Sequence, residues 1–256
     1  MELRIAVLTF LVPAALLIPG CTQVDCTQTE QVSPADTGQT AHTFEKEVRK
    51  TVRLHYLLYL PPKYQDTKEK WPLMLFLHGA GERGPDLEKL TVHGPPKLIA
   101  KEGKTFPFVV VSPQCPEDGS WSSELQLDAL DGLLDDILSR YRIDKDRVYL
   151  TGLSMGGFGT WGLAFRHPDK FAALAPICGR GNPAKADRIK HVPVWVFHGA
   201  KDRAVPPKDS QDMVDALKKL GANVKFTLYP NAEHDSWTET YNNPEFYAWL
   251  LQQRRQ

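Results

Sequence analysis

What most constrains this chain is a series of short, nearly all-apolar runs, each followed by a longer polar or helically spaced stretch. Residues 72–78 (PLMLFLH), 108–112 (FVVVS), 147–152 (RVYLTG), 171–177 (FAALAPI) and 192–199 (VPVWVFHG) are such runs, bounded by Gly, Pro or His. Continuous apolarity in so short a segment suits a strand buried on both faces. Residues 123–141 and 209–220 place apolar side chains three and four apart, the spacing of a helix with one buried face. A last strand is expected at 224–230 and a terminal helix at 244–252. Residues 47–61 alternate apolar and polar in their first half, which predicts an antiparallel, half-exposed edge strand or pair of strands. Alternation of this kind predicts an α/β domain: a mostly parallel central sheet with helices on both faces. The 256 residues suffice for one large core. Ligands of such sheets sit at the carboxyl ends of the strands.

At one of those ends stands TGLSMGGFG, residues 151–159. Ser154 directly follows a predicted strand and precedes a helix-forming run, so GLSMG matches the G-x-S-x-G nucleophile elbow. Gly152 and Gly156 remove the Cβ atoms that would keep strand and helix apart, and Gly157 and Gly159 extend that close packing. A serine hydroxyl needs a base and an orienting acid, expected downstream in the order acid, then histidine. Asp202 lies in the loop after the 192–199 strand and His234 in the loop after the 224–230 strand, both at the same sheet edge. His234 is therefore the expected base and Asp202 its orienting acid. His78 and His198, each before a glycine at a strand end, are expected to support turns. Asp235 adjoins His234 too closely in sequence to face it, and Asp209 and Asp212 fall where helix capping explains them. The loop HGAGERG, residues 78–84, is expected to supply one oxyanion-hole N–H from Ala80, paired with that of Met155. Glu82 and Arg83 are candidates to pin this loop by charge pairs, a solvated pair being the alternative. Gln114, Trp121 and Trp237 are candidate substrate-binding walls, with ordinary packing as their other use; Trp161 is expected in the core.

Taken together, HGAGERG, SPQCP with Trp121 after it, GLSMGGFGTW, HGAKD and AEHDSW resemble the α/β-hydrolase superfamily. The likeness runs from about residue 44 to the C-terminus and is nearest to phospholipase/carboxylesterase, dienelactone-hydrolase-like and predicted-peptidase members, which also resemble feruloyl and polyhydroxyalkanoate esterases. It implies an α/β-hydrolase fold with no cap domain and a serine ester hydrolase with Ser154, Asp202 and His234 as triad and Ala80 and Met155 as oxyanion hole. The implied substrates are short-acyl, aromatic or carbohydrate-linked esters, either small molecules or esters borne on a polymer. No cofactor and no metal are implied. A dienelactone hydrolase proper is expected to carry cysteine where this chain has Ser154, which sets the chain apart from that activity. In the implied sheet order, the strands preceding Cys115 and Cys178 are not neighbours, so no bridge between these cysteines is expected. Two other readings stay open: a small-peptide serine peptidase of the prolyl-oligopeptidase type, though no propeller is seen, and a catalytically silent binding module on the same fold.

The amino terminus is a separate matter. Residues 5–18 are almost wholly apolar and end in Pro19-Gly20-Cys21, so residues 1–20 read as a secretory signal. LIPGC resembles a bacterial lipobox, which makes lipidated Cys21 a candidate membrane anchor; ordinary signal-peptidase cleavage is the alternative. Residues 21–43 then form a polar tether, and residues 44–256 the catalytic domain. Periplasmic, membrane-anchored or secreted placement follows. Lys plus Arg and Asp plus Glu number 31 each. Such a balance argues against nucleic acid as partner, since phosphate binding needs a basic surface. No His, Cys and Asp spacing signals a metal site.

Overall fold

In the computed structural model, residues 43–47 and 51–255 are described. The expected signal and almost all of the expected tether lie outside these residues. Contacts gather residues 51–255 into one compact unit, while residues 43–47 carry no helix or strand.

Seven strands form a single sheet: β1 (Tyr56–Tyr59), β2 (Trp71–Leu77), β3 (Val109–Pro113), β4 (Ile143–Leu153), β5 (Ala173–Ile177), β6 (Val194–Gly199) and β7 (Val224–Tyr229). Their order is β1-β3-β2-β4-β5-β6-β7. Only β1 runs antiparallel, pairing with β3 from the sheet edge, and every other pairing is parallel. The expected edge strand is thus present but short, covering four residues of the 47–61 stretch.

Why the strand sequences are apolar throughout is visible in their alternation. Leu73, Leu75 and Leu77 of β2 share one core with Val109 and Val111, while Met74, Phe76 and Val110 belong to another. Successive side chains of a strand point to opposite faces, so a strand covered on both sides must be apolar at every position. The first core is closed by α2 (Glu124–Arg140), α3 (Met155–Arg166) and α4 (Pro207–Lys219); the second by α1 (Gly94–Glu102), α5 (Trp237–Asn242) and α6 (Pro244–Gln252). Helix α2 shows the local code: Ser123 caps it through the N–H of Gln126, and Leu127, Leu130, Leu134 and Ile137 form its buried stripe. Asp209 and Asp212 do not cap α4, whose N-cap is Pro206. Asp209 instead bonds Arg180 and Asp212 bonds Lys208.

The order places β2 beside β4, with β3 on the far side of β2. Connections from β2 and from β4 therefore leave toward opposite sides, and a crevice opens at their carboxyl ends. Between β5 and β6 the chain forms one short 3-10 helix, Pro183–Ile189, and among the described residues no cap domain covers the crevice. Among the described residues, no helix is long and apolar enough to cross a membrane.

Candidate active site

Ser154 stands between β4 and α3 with φ 52° and ψ −116°. Its N–H is held by the carbonyl of Ile177 at 2.9 Å. A non-glycine residue in this region is strained and persists only where its surroundings fix it. Here the fixing is steric: a Cβ on Gly152 would lie 2.5 Å from the carbonyl oxygen of Gly156, and one on Gly156 would lie 1.9 Å from that of Leu77. Strand and helix meet backbone to backbone, and the turn between them can be tight.

His234 Nε2 lies 3.0 Å from Ser154 Oγ, and His234 Nδ1 lies 2.7 Å from Asp202 Oδ2. Asp202 Oδ1 accepts the N–H groups of Ala204 (2.8 Å) and Val205 (2.9 Å). Burial alone would raise the Asp202 pKa, but these hydrogen bonds outweigh it and hold the carboxyl below its usual range. The structure thus brings together the three residues singled out from loop positions up to 80 residues apart. Asp235 faces elsewhere, accepting both the N–H and the hydroxyl of Thr238.

Sequence reasoning missed one neighbour. His198 is not confined to supporting a turn: its Nε2 lies 3.1 Å from Asp202 Oδ2 and 3.0 Å from the Val205 carbonyl, while its Nδ1 lies 2.7 Å from Ser210 Oγ. Burial lowers its pKa, which favours the neutral ring. With two acceptors at Nε2, that nitrogen carries the hydrogen and Nδ1 accepts from Ser210. Asp202 is therefore steadied from both ends by uncharged donors in addition to His234. The signal was the four-residue spacing of His and Asp in HGAKD.

On the other wall, the loop after β2 approaches the serine closely enough that a Cβ on Gly79 would lie 3.8 Å from Ser154 Cβ. Ala80 opens a 3-10 turn there, and Met155 opens α3, where an N–H has no acceptor within the helix. Glu82 and Arg83 do pin this loop, through backbone groups rather than as a mutual pair. The buried Glu82 carboxylate accepts the Gly79 N–H at 2.8 Å, and Arg83 donates to the carbonyls of Ala80 (3.0 Å) and Gly119 (3.2 Å).

Two of the expected substrate walls are corrected. Trp121 is fully buried, donating its indole N–H to the His78 carbonyl at 3.2 Å and packing edge-on against the His78 ring. Gln114 is buried too, and its amide donates to the Glu82 carbonyl. Both brace the loop from beneath, because the chain after β3 turns under it instead of rising beside the crevice. Trp237 does lie at the site, but largely buried, with its ring edge-on to both His234 (5.2 Å) and His93 (5.3 Å). Trp161 is in the core as expected.

His78 shows what this bracing requires. Its Nε2 accepts the Cys115 N–H at 2.9 Å, so Nδ1 carries the hydrogen bonded to the Gly79 carbonyl at 2.6 Å. Burial pulls its pKa down to about 4. Between the ordinary histidine pKa of about 6.5 and that value, the unfolded chain binds a proton that the folded chain refuses, so stability falls as pH falls through this window. His198 adds to the same slope. In urea titrations at pH 7 and pH 4.5, replacing His78 by Gln should narrow the difference in unfolding free energy by about 2 kcal/mol. An unchanged difference would show that folded His78 takes up its proton by pH 4.5 as readily as the unfolded chain does.

Cys115 and Cys178 are both free and buried, with pKa values pushed up to about 12 by burial. Sequence spacing gave no metal signal, yet Cys178 brings its sulfur within 4.8 Å of ligand atoms of Asp202 and His234. Those two already share a hydrogen bond, and burial keeps the Cys178 thiol protonated, whereas a metal would need the thiolate.

The sheet order, the strained elbow and the hydrogen-bonded Ser154, His234 and Asp202 define an α/β hydrolase. The family model for the dienelactone hydrolase family matches residues 119–246, and the chain belongs to that family. It is 29% identical over 197 residues to a bifunctional acetylxylan esterase/xylanase of Neocallimastix patriciarum, covering 70% of this chain and 26% of that one. Over 122 residues it is 34% identical to poly(3-hydroxyalkanoate) depolymerase C of Paucimonas lemoignei, covering 42% of this chain and 28% of the relative. Among solved structures, a thermostable esterase superposes with a TM-score of 0.70 at 37% identity, covering 80% of this chain and 60% of that one. The chain therefore spans about a quarter to three fifths of the length of these relatives.

Proposed function

We propose that the protein hydrolyses carboxylic esters through an acyl-enzyme on Ser154. The observation that carries this reading is the unbroken chain of hydrogen bonds from Ser154 Oγ through His234 to Asp202, mounted on a strained elbow. Ser154 Oγ attacks the ester carbonyl as His234 Nε2 takes its proton, and Asp202 stabilises the imidazolium. The N–H groups of Ala80 and Met155 receive the oxyanion. His234 returns the proton to the leaving alcohol, and water, activated in turn by His234, releases the acid. The uncapped crevice suits short-acyl, aromatic or carbohydrate-linked esters, including esters displayed on a polymer, in keeping with the names of the relatives. Export, with residues 1–20 as signal and Cys21 as a lipidation site, belongs to the same proposal. A panel of p-nitrophenyl esters beside a peptide anilide tests the reaction: ester turnover is expected, and anilide turnover alone would make the protein a peptidase.

Glu82 gives a second, local test. Its carboxylate fixes Gly79, one residue before the Ala80 donor. Glu82→Ala should free the loop and lower kcat on an activated ester by about 100-fold with little change in KM, the loss expected when one oxyanion donor is removed. An unchanged kcat would mean that the Ala80 N–H is not used.

A further inference from the structure

A groove of about 370 Å³, within the size range of ligand sites, lies between α3 and the segment that follows β5. One side is the face of α3 carrying Phe158, Trp161 and Phe165, at positions i, i+3 and i+7. That face begins one helical turn beyond the nucleophile, the Phe158 N–H bonding the Ser154 carbonyl, and runs for about 10 Å. Phe158 is partly exposed at its near end. The facing side carries Arg180, Asn182 and Lys185, and among the described residues no carboxylate lines the groove.

The side-chain groups left free on that side are donors. Arg180 is held through Nε by Asp209 at 2.7 Å, which leaves both terminal nitrogens of its guanidinium without a partner among the described residues. Asn182 uses its amide oxygen to accept the Ala184 N–H at 3.1 Å, so its NH2 remains. Lys185 makes no ion pair among the described residues. A guanidinium oriented by one carboxylate with its outer fork open is prepared to bind a second carboxylate in two-point fashion. The partly exposed Phe158 ring opposite it, backed by the buried Trp161 and Phe165, suits a flat apolar body.

We propose that this groove binds an aryl carboxylate, carried as the arm of the substrate remote from the scissile ester, with the ring against Phe158 and the carboxylate on Arg180 and Lys185. This deepens the ester-hydrolase reading and rests on it for the word substrate. The groove itself is tested without turnover. The full-length Ser154→Ala protein is titrated calorimetrically with 4-hydroxybenzoate and with terephthalate, alone and with the added pair Arg180→Gln and Lys185→Gln. At least one of the two acids should bind and lose tenfold or more in affinity when the pair is replaced. Equal affinity with and without the pair, or binding of neither acid, overturns the proposal.

With Ser154 intact, two matched comparisons place the arm: 4-acetoxybenzoate against phenyl acetate puts it on the alcohol, and monomethyl terephthalate against methyl benzoate puts it on the acid. In one of these, the ratio of kcat/KM for the charged ester to that for its neutral partner should fall at least tenfold in the Arg180→Gln, Lys185→Gln protein, chiefly through KM. A ratio that does not move in either comparison sinks the assignment to substrate. Absence of any Ser154-dependent turnover would remove the esterase reading instead, while the isotherms still decide the groove.

Discussion

Replacing Ser154 by alanine should lower kcat on an activated ester by roughly 10⁴- to 10⁶-fold while leaving KM within a few-fold, because the attacking atom is removed and the crevice that holds the ester is not. Burst kinetics on the wild type would show the acyl-enzyme, and the burst should vanish in the variant. The elbow adds a stability readout to this result. Ser154 sits at φ 52°, where any residue with a Cβ is strained, so alanine inherits the strain and the unfolding free energy should barely move. Glycine relieves it. Ser154→Gly should therefore be as inactive as Ser154→Ala yet more stable by about 1 kcal/mol, the relief of strain being partly offset by the greater freedom of glycine in the unfolded chain. A glycine variant no more stable than the alanine one would mean that the elbow stores no strain. An alanine variant with near-normal kcat would end the acyl-enzyme reading.

How much of this was legible beforehand depends on how local the cause was. The doubly covered strands could be read because burial on both faces leaves no polar position, as in Leu73 to Leu77. Ser154, Asp202 and His234 could be read because a strand's end fixes the sheet edge at which its next loop emerges. Gln114 and Trp121 failed for the complementary reason: a loop residue's burial depends on which way the loop folds, and nothing between Pro113 and Ser123 encodes that the chain turns beneath the loop after β2. The roles of His198 and Glu82 were hidden similarly. Their spacing from Asp202 and His78 was visible, but whether a side chain bonds a carboxylate or a backbone N–H is settled only by the packing around it. The groove along α3 needed the facing segment after β5, which periodicity does not place.

Gly156→Ala should produce a large loss of stability from a single methyl group. The added Cβ would stand 1.9 Å from the Leu77 carbonyl oxygen, 2.5 Å from the Leu77 carbonyl carbon and 2.8 Å from the His78 carbonyl oxygen. All three atoms are backbone, so no side chain can rotate away. Relief requires α3 to withdraw from β2, and withdrawal would open the first core, where Trp161, Leu163 and Phe165 of α3 are buried. The expected cost is at least about 3 kcal/mol, a large share of the marginal stability of a domain, and a fall in Tm of about 10 °C. Because β2 and β4 also position Ala80 and Met155, the two proposed oxyanion donors, the folded fraction should lose activity as well. Gly132 supplies the contrast. It is an exposed interior residue of α2, and a methyl group added there would meet nothing within 4 Å, so Gly132→Ala should stabilise the protein by about 0.5–1 kcal/mol through helix propensity alone. Thermal melts of the two variants side by side separate close approach from propensity. If Gly156→Ala melts within about 2 °C of the wild type, the helix slides at little cost, and the tight elbow is not what holds Ser154 in place.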